Sequence, residues 1–244
     1  MPSRPPKRQR LESRMDELGE LVLRDSKLLN TNLPLHSIFR QRQGRGDFAS
    51  LDCVREHPTH HLLKHISTNG APVVLSTPPW TKARNDAAMA RGPHKSAIEY
   101  ITFLREEMAD FVKKAFWMVL PYHKVSTLMK RLRVSPIGVV PQKNRRPRII
   151  VDFSYYGLND ETVRLSPREA MQFGRALERL LTKVVHADPR YGPIKFLKID
   201  LSDGFYRIWL RPGDIEQLRV ALPSLPNEEP LVAFPLVLPM GWTE

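Results

Sequence analysis

The sequence predicts an α+β fold over residues 96–244, on three observations. Two stretches carry apolar residues at helical spacing, two β-branched runs flank a polar segment between them, and more short apolar runs follow the second helix. The first helical stretch opens at Ser96, which makes a capping box with Glu99. Ile98, Ile101, Leu104, Met108, Phe111 and Ala115 then share one face, predicting a helix to about Met118, before Pro121. "IGVV" and "RIIVDF" on either side of "PQKNRRP" read as a β-hairpin. "SPRE" marks the second helix, with Ser166 as N-cap, Pro167 at the first helical position and Glu169 closing the box. Its apolar face is Ala170, Phe173, Leu177, Leu180, Leu181 and Val184. After Pro193, "FLKID", "IWL" with "RVAL", and "LVAFPLVLP" are read as strands.

The N-terminal part is read differently. Residues 1–10 hold Arg4, Lys7, Arg8 and Arg10 among three prolines, the composition of a disordered basic tail. "KRQR" resembles a short nuclear-import signal, and a solvated tail accounts for it equally well. Leu11, Met15, Leu18, Val22 and Leu29 predict an amphipathic helix that docks on another surface, with Gly19 as its weak point. Prolines 34, 58, 72, 78, 79 and 93 break every later run, so residues 30–95 read as a linker or irregular extension; 11–95 thus forms an N-terminal extension. Within it Cys53, His57, His60, His61 and His65 invite a metal reading, but no second ligand pair or zinc spacing supports it.

Charge narrows the function classes. The 244 residues carry a net charge of +12, which favours a polyanionic partner, most simply nucleic acid, although an anionic membrane surface gives the same bulk signal. No apolar run reaches the roughly 18 residues of a membrane span. No apolar segment follows "MPSRPPKRQR", so it is not a secretory signal, and a cytoplasmic or nuclear location is expected. The single cysteine excludes an internal disulfide framework and a thiolate zinc cluster. From Phe111 to Val151 there is no carboxylate, against ten Lys or Arg: Lys113, Lys114, Lys124, Lys130, Arg131, Arg133, Lys143, Arg145, Arg146 and Arg148. A one-sign stretch ending in a basic hairpin suits phosphate, and the arginines offer bidentate contacts that lysine does not.

A second feature points to chemistry on phosphates. In "FLKIDLSDGFYRIWL" the carboxylate of Asp200 ends an apolar run, and the aromatic Phe205 follows five residues later. Mg²⁺ is usually held by one or two carboxylates together with the substrate's phosphate oxygens, and two such ions clamp the attacking and leaving oxygens in phosphoryl transfer. One aspartate supplies only part of such a site.

Three stretches together resemble the reverse transcriptases (RNA-directed DNA polymerases) of retrotransposons. "SPIGVVPQKNRRPRIIVDFSYYGLND" resembles their fingers hairpin, "FLKIDLSDGFYRIWL" the palm segment called motif A, and "AFPLVLPMGWTE" the start of motif B with its Leu-Pro-x-Gly. The resemblance covers about Ser96 to Glu244 and implies right-hand polymerase fingers and a partial palm. It implies that Asp200 is the catalytic metal-binding aspartate, with the backbone carbonyl of Leu201 beside it, for Mg²⁺ or Mn²⁺. Phe205 falls on the ring that packs against the deoxyribose and blocks a 2′-hydroxyl, with Asp203 and Gly204 near the triphosphate. Arg148 matches the fingers arginine on the nucleotide phosphates, Lys143 is the nearest counterpart of the fingers lysine, and Met240 with Gly241 lines the nucleotide pocket.

Arg145 and Arg146 are then expected on nucleic-acid phosphates, and the implied partners are an RNA or DNA template-primer and a deoxynucleotide. The Tyr-x-Asp-Asp hairpin of motif C, which supplies the remaining metal ligands in the family, does not occur in these residues, nor do a thumb or RNase H region. The expectation is a fingers and partial-palm fragment that binds without polymerising. The competing class is a non-enzymatic basic nucleic-acid-binding protein derived from a retroelement. Asp152 reads as a structural aspartate at the hairpin base, Trp209 and Trp242 as core, and Tyr155 and Tyr156 as either base-stacking rings or surface packing.

Overall fold

The computed structural model describes residues 16–43, 51–131, 133–165, 176–197 and 203–242. The basic tail 1–10, the Ser166–Glu169 capping box with Ala170 and Phe173, and the Asp200–Leu201 pair lie outside them. Along the described chain run α1 (Glu17–Ser26), α2 (Leu35–Arg42), α3 (His60–Asn69), α4 (Lys82–Arg91), α5 (Lys95–Glu99) and α6 (Ile101–Lys113). They are followed by β1 (Trp117–Pro121), α7 (Tyr122–Val125), β2 (Ser135–Gln142), β3 (Arg145–Val151), α8 (Leu158–Glu161), α9 (Ala176–Val185), β4 (Val220–Leu222) and β5 (Leu231–Pro235). The fold is mixed α and β, built on one five-stranded sheet of order β1-β5-β4-β2-β3. Neighbours are antiparallel except β4 beside β2. Every residue of β1, β4 and β5 is buried, as expected for strands covered on both faces.

The hairpin forms where the β-branched runs predict it. Ile137 pairs with Val151, Val139 with Ile149 and Val140 with Arg148, with a register shift before Gln142 meets Arg145. Asn144 closes the turn at φ 57°, a left-handed conformation that asparagine tolerates better than most residues. The N-terminal helix also forms, over Glu17–Ser26, with Leu11 and Met15 outside the described residues: the Asp16 carboxylate accepts the Gly19 N–H at 3.0 Å, an aspartate N-cap. It buries Leu18 and Val22 and packs on β1 and α6 of its own chain.

Four expectations are corrected. Ser96 is not an N-cap: α5 starts before it, at Lys95, and the Ser96 hydroxyl accepts the Val139 N–H at 3.1 Å. The helix expected to reach Met118 stops at Lys113, and Trp117–Pro121 is strand. Its end is a Schellman motif, with Ala115 N–H on the Val112 carbonyl at 3.1 Å and Phe116 N–H on the Phe111 carbonyl at 2.9 Å. The left-handed position that glycine usually fills belongs to Ala115 at φ 57°, so no punctuation marks the stop in the sequence. Residues 30–95 are not an irregular linker: they hold α2, α3 and α4, and Ile38, Phe39, Ala71, Val73, Trp80 and Met89 join the one core that the sheet also builds. The prolines sit between those helices, one of them as the N-cap of α2.

The fourth correction concerns residues 176–197. Helix α9 forms, but Leu177, Leu180 and Leu181 on its apolar side are exposed. In "FLKID", Phe196 and Leu197 are exposed and form no strand, and the remaining three residues lie outside the described ones.

Candidate nucleic-acid interface

The β2–β3 hairpin projects a basic end. Lys143, Arg145, Arg146 and Arg148 are all exposed, whereas Ile137, Val139 and Val151 at its base are buried. Alternation along a strand sets Arg146, Arg148 and Ile150 on one face of β3 and Ile149 and Val151 on the other. Among the described residues, no carboxylate pairs with Lys143, Arg145 or Arg148. Arg146 is different: its guanidinium is in an ion pair with Glu107 of α6 and lies 5.5 Å from the Phe103 ring centroid.

Helix α6 carries that contact to the turn at 203–207. Phe111 and Phe116 hold the Tyr206 ring between them, with centroids 5.4 and 5.0 Å away. Burial pushes the Tyr206 hydroxyl pKa up, and the Asp203 and Glu107 carboxylates add to the shift. Asp203 itself adopts φ 54°, and its carboxylate stands 3.8 Å from the Lys114 ammonium just past the end of α6. Gly204 caps the short 3₁₀ turn Phe205–Arg207, and the Phe205 ring is 59% exposed, so it is not a core residue.

The segments 205–210 and 236–242 lie side by side. Leu210 N–H donates to the Leu236 carbonyl at 3.1 Å, Leu238 N–H donates to the Ile208 carbonyl at 2.9 Å, and Trp209 bridges Val237 in antiparallel sense. That pairing sets the Phe205 turn and exposed Met240 at the same end of the two segments. Beyond Met240 the chain turns back onto the hairpin base. Gly241 has φ +96°, and a Cβ there would come 3.3 Å from the Val151 carbonyl oxygen. The Asn159 side-chain amide donates to the Gly241 carbonyl at 3.1 Å, and the Trp242 indole donates to the Thr162 hydroxyl at 2.9 Å. Trp209 and Trp242 both pack against the core. Asp152 is a structural residue here, accepting the Tyr155 N–H at 2.9 Å and pairing with His94 at 3.1 Å.

The carboxylate-free stretch is less bare in space than in sequence. Glu17 meets Lys113 at 2.5 Å, Asp203 meets Lys114, Asp214 meets Arg131 at 2.5 Å, and Glu107 meets Arg146. Arg133, 2% exposed, is buried against Glu161 and the Thr77 and Pro78 carbonyls, so it serves the fold and contacts no phosphate. Among the described residues, no group of three His, Cys, Asp or Glu is placed to hold a metal ion, the Cys53–His65 stretch included. No helix among them is long and apolar enough to cross a membrane. Sequence reasoning assigned no individual role to Glu107, Tyr206 or Asn159, and counted Lys114 only as one of the ten basic residues. Tyr206 and Asn159 fall within the quoted stretches, whereas nothing in the sequence singled out Glu107.

The chain matches no protein-family model and no curated protein.

Proposed function

We propose that the chain is the fingers and partial palm of a retrotransposon reverse transcriptase, binding a template-primer duplex along the basic hairpin and a deoxynucleotide beside Phe205. The observation that carries this reading is the convergence of the three resembling segments. The Ile208 carbonyl of motif A receives Leu238 N–H of motif B, and the Gly241 carbonyl of motif B receives the Asn159 amide of the fingers stretch. Segments joined by contacts 30 and 82 residues apart in sequence thereby form one surface, the arrangement a polymerase needs to bring nucleotide and template together. Two exposed nonpolar side chains at that junction, Phe205 and Met240, suit the sugar and base of a nucleotide better than they suit water.

In this reading Lys143 and Arg148 contact nucleotide phosphates, Arg145 and Arg146 contact the nucleic-acid backbone, and Asp203, Gly204 and Gly241 line the pocket. Asp200 and the Leu201 carbonyl would hold Mg²⁺ or Mn²⁺, which supplies charge neutralisation at the transferring phosphate. These residues contain no motif C acids, so the 244-residue polypeptide binds without extending a primer. Photo-crosslinking with an azido-deoxynucleotide in the presence of template-primer tests the reading. Label on Phe205–Arg207 or Met240 supports it, and label confined to other segments rejects it.

A further inference from the structure

A ladder of rings climbs from the core to the surface beside the hairpin. Trp80, 7% exposed, meets the Tyr156 ring edge-on at 5.3 Å, and Tyr156 meets Tyr155 at 4.7 Å and 90°. Tyr155 is 46% exposed and is met edge-on by His94 at 5.3 Å. The guanidinium of Arg91 lies 4.1 Å from the centroid of Tyr155, and that of Arg84 lies 4.2 Å from the centroid of Trp80. Arg84 and Arg91 stand seven residues apart on α4, two helical turns and about 10 Å on one face. Both are exposed, and among the described residues neither has a carboxylate partner.

The ladder continues into the hairpin. At Gly138 an added Cβ would come 3.4 Å from His94 Cδ2, so β2 passes close under the histidine. Gly138 pairs across the sheet with Ile150 and Val140 with Arg148, so exposed Ile150, Val140 and Arg148 extend the same face. Asp152, the acid beside the ring, is engaged locally: its Oδ2 lies 3.1 Å from His94 Nε2, and Arg91 lies 3.4 Å from His94 Nδ1.

A buried ring needs no exposed neighbour, and Tyr155 contributes little to the core. A fixed, half-exposed ring beside Arg91, with Arg84 one ring further along the ladder, is instead the combination that takes up bases by stacking and backbone by charge. We infer that Tyr155, with Arg91 and Arg84 of α4, forms a stacking site for a single-stranded nucleic acid that runs on over Val140 and Ile150 of the hairpin. This rests on the nucleic-acid reading above and assigns a part in it to a helix outside the resembling region.

The test is fluorescence anisotropy with labelled strands of about 12 nucleotides. The arms are single-stranded DNA, single-stranded RNA, an abasic strand of the same length and a duplex. Tyr155→Ala should weaken binding of the base-bearing single strands by about 5- to 150-fold, Tyr155→Phe should retain it, and the abasic strand should not distinguish the two. Arg91→Ala should weaken all single strands. Equal losses on abasic and base-bearing strands, or no loss in Tyr155→Ala, overturn the inference. Should Tyr155→Ala not fold, cross-linking of a 5-iodouracil strand to the wild type decides, with label on Tyr155 in favour and label elsewhere against. If Arg145→Ala weakens single-strand binding and Tyr155→Ala does not, the stacking site falls and the nucleic-acid reading stands. Failure of the wild type to bind any strand sinks both.

Discussion

The side-chain amide of Asn159 donates a 3.1 Å hydrogen bond to the main-chain carbonyl of Gly241, joining the turn after the hairpin to the loop after β5. Gly241 is the residue that permits the contact, because its φ of +96° and the nearby Val151 carbonyl oppose a side chain. Asn159→Ala should cost about 1 kcal/mol of unfolding free energy, and Gly241→Ala more than about 1 kcal/mol, both read from urea midpoints. If the loop is a nucleotide-pocket wall, Gly241→Ala should also lower nucleotide cross-linking in protein that remains folded.

The end of α6 offers a gain of stability. Ala115 occupies the left-handed C′ position of a Schellman motif, where a Cβ is unfavourable. Ala115→Gly should raise the unfolding free energy by about 0.5–1 kcal/mol despite the added chain entropy of glycine. A loss in the thermal melt would show that the turn is not held as described.

Arg105, 3% exposed, is held from two sides by Asp16 and Glu228, at 2.5 and 2.7 Å. Removing it in Arg105→Ala leaves two carboxylates without their cation and should cost about 3–5 kcal/mol. Hydrogen bonds from Arg105 hold the Asp16 carboxyl below its ordinary value of 3.8. A lowered folded pKa contributes stability above the unfolded value that is lost as pH falls through the folded one. Asp16→Asn keeps an N-cap and removes the charge. The wild type should therefore exceed the variant by a constant margin from pH 7 to about 5, and the margin should shrink below about pH 4. A margin that does not change with pH would remove Arg105 as its cause.

If Arg146 binds nucleic acid as proposed, its ion pair with Glu107 competes with phosphate for the same guanidinium. Glu107→Gln frees that cation and should steepen the log-log salt dependence of template-primer binding by about 0.9. An unchanged slope would place Arg146 off the nucleic-acid path.

The hairpin was legible because alternation and a polar tip are local signals, and α1 was legible because its apolar spacing repeats. The end of α6 was not, since alanine stands where glycine would mark it. The region 30–95 misled for a related reason: its prolines fall between helices, and a proline inside a window hides periodicity on both sides. The charge stretch misled because carboxylates 80 or more residues away in sequence, Asp203 and Asp214, reach Lys114 and Arg131 only once the chain folds. Of the site, the residue types on the hairpin were readable, whereas the contacts that tie it to α6 and to the loop after β5 are tertiary.

The most direct measurement is the salt dependence of template-primer binding by Arg145→Ala/Arg146→Ala beside Arg55→Ala/Arg190→Ala, which removes the same charge from exposed positions off the hairpin. The hairpin pair should lower the log-log slope by about 1–2 units and the control pair should leave it unchanged. Equal changes in both pairs, or none in the hairpin pair, would contradict the assignment of the hairpin as the nucleic-acid-binding element.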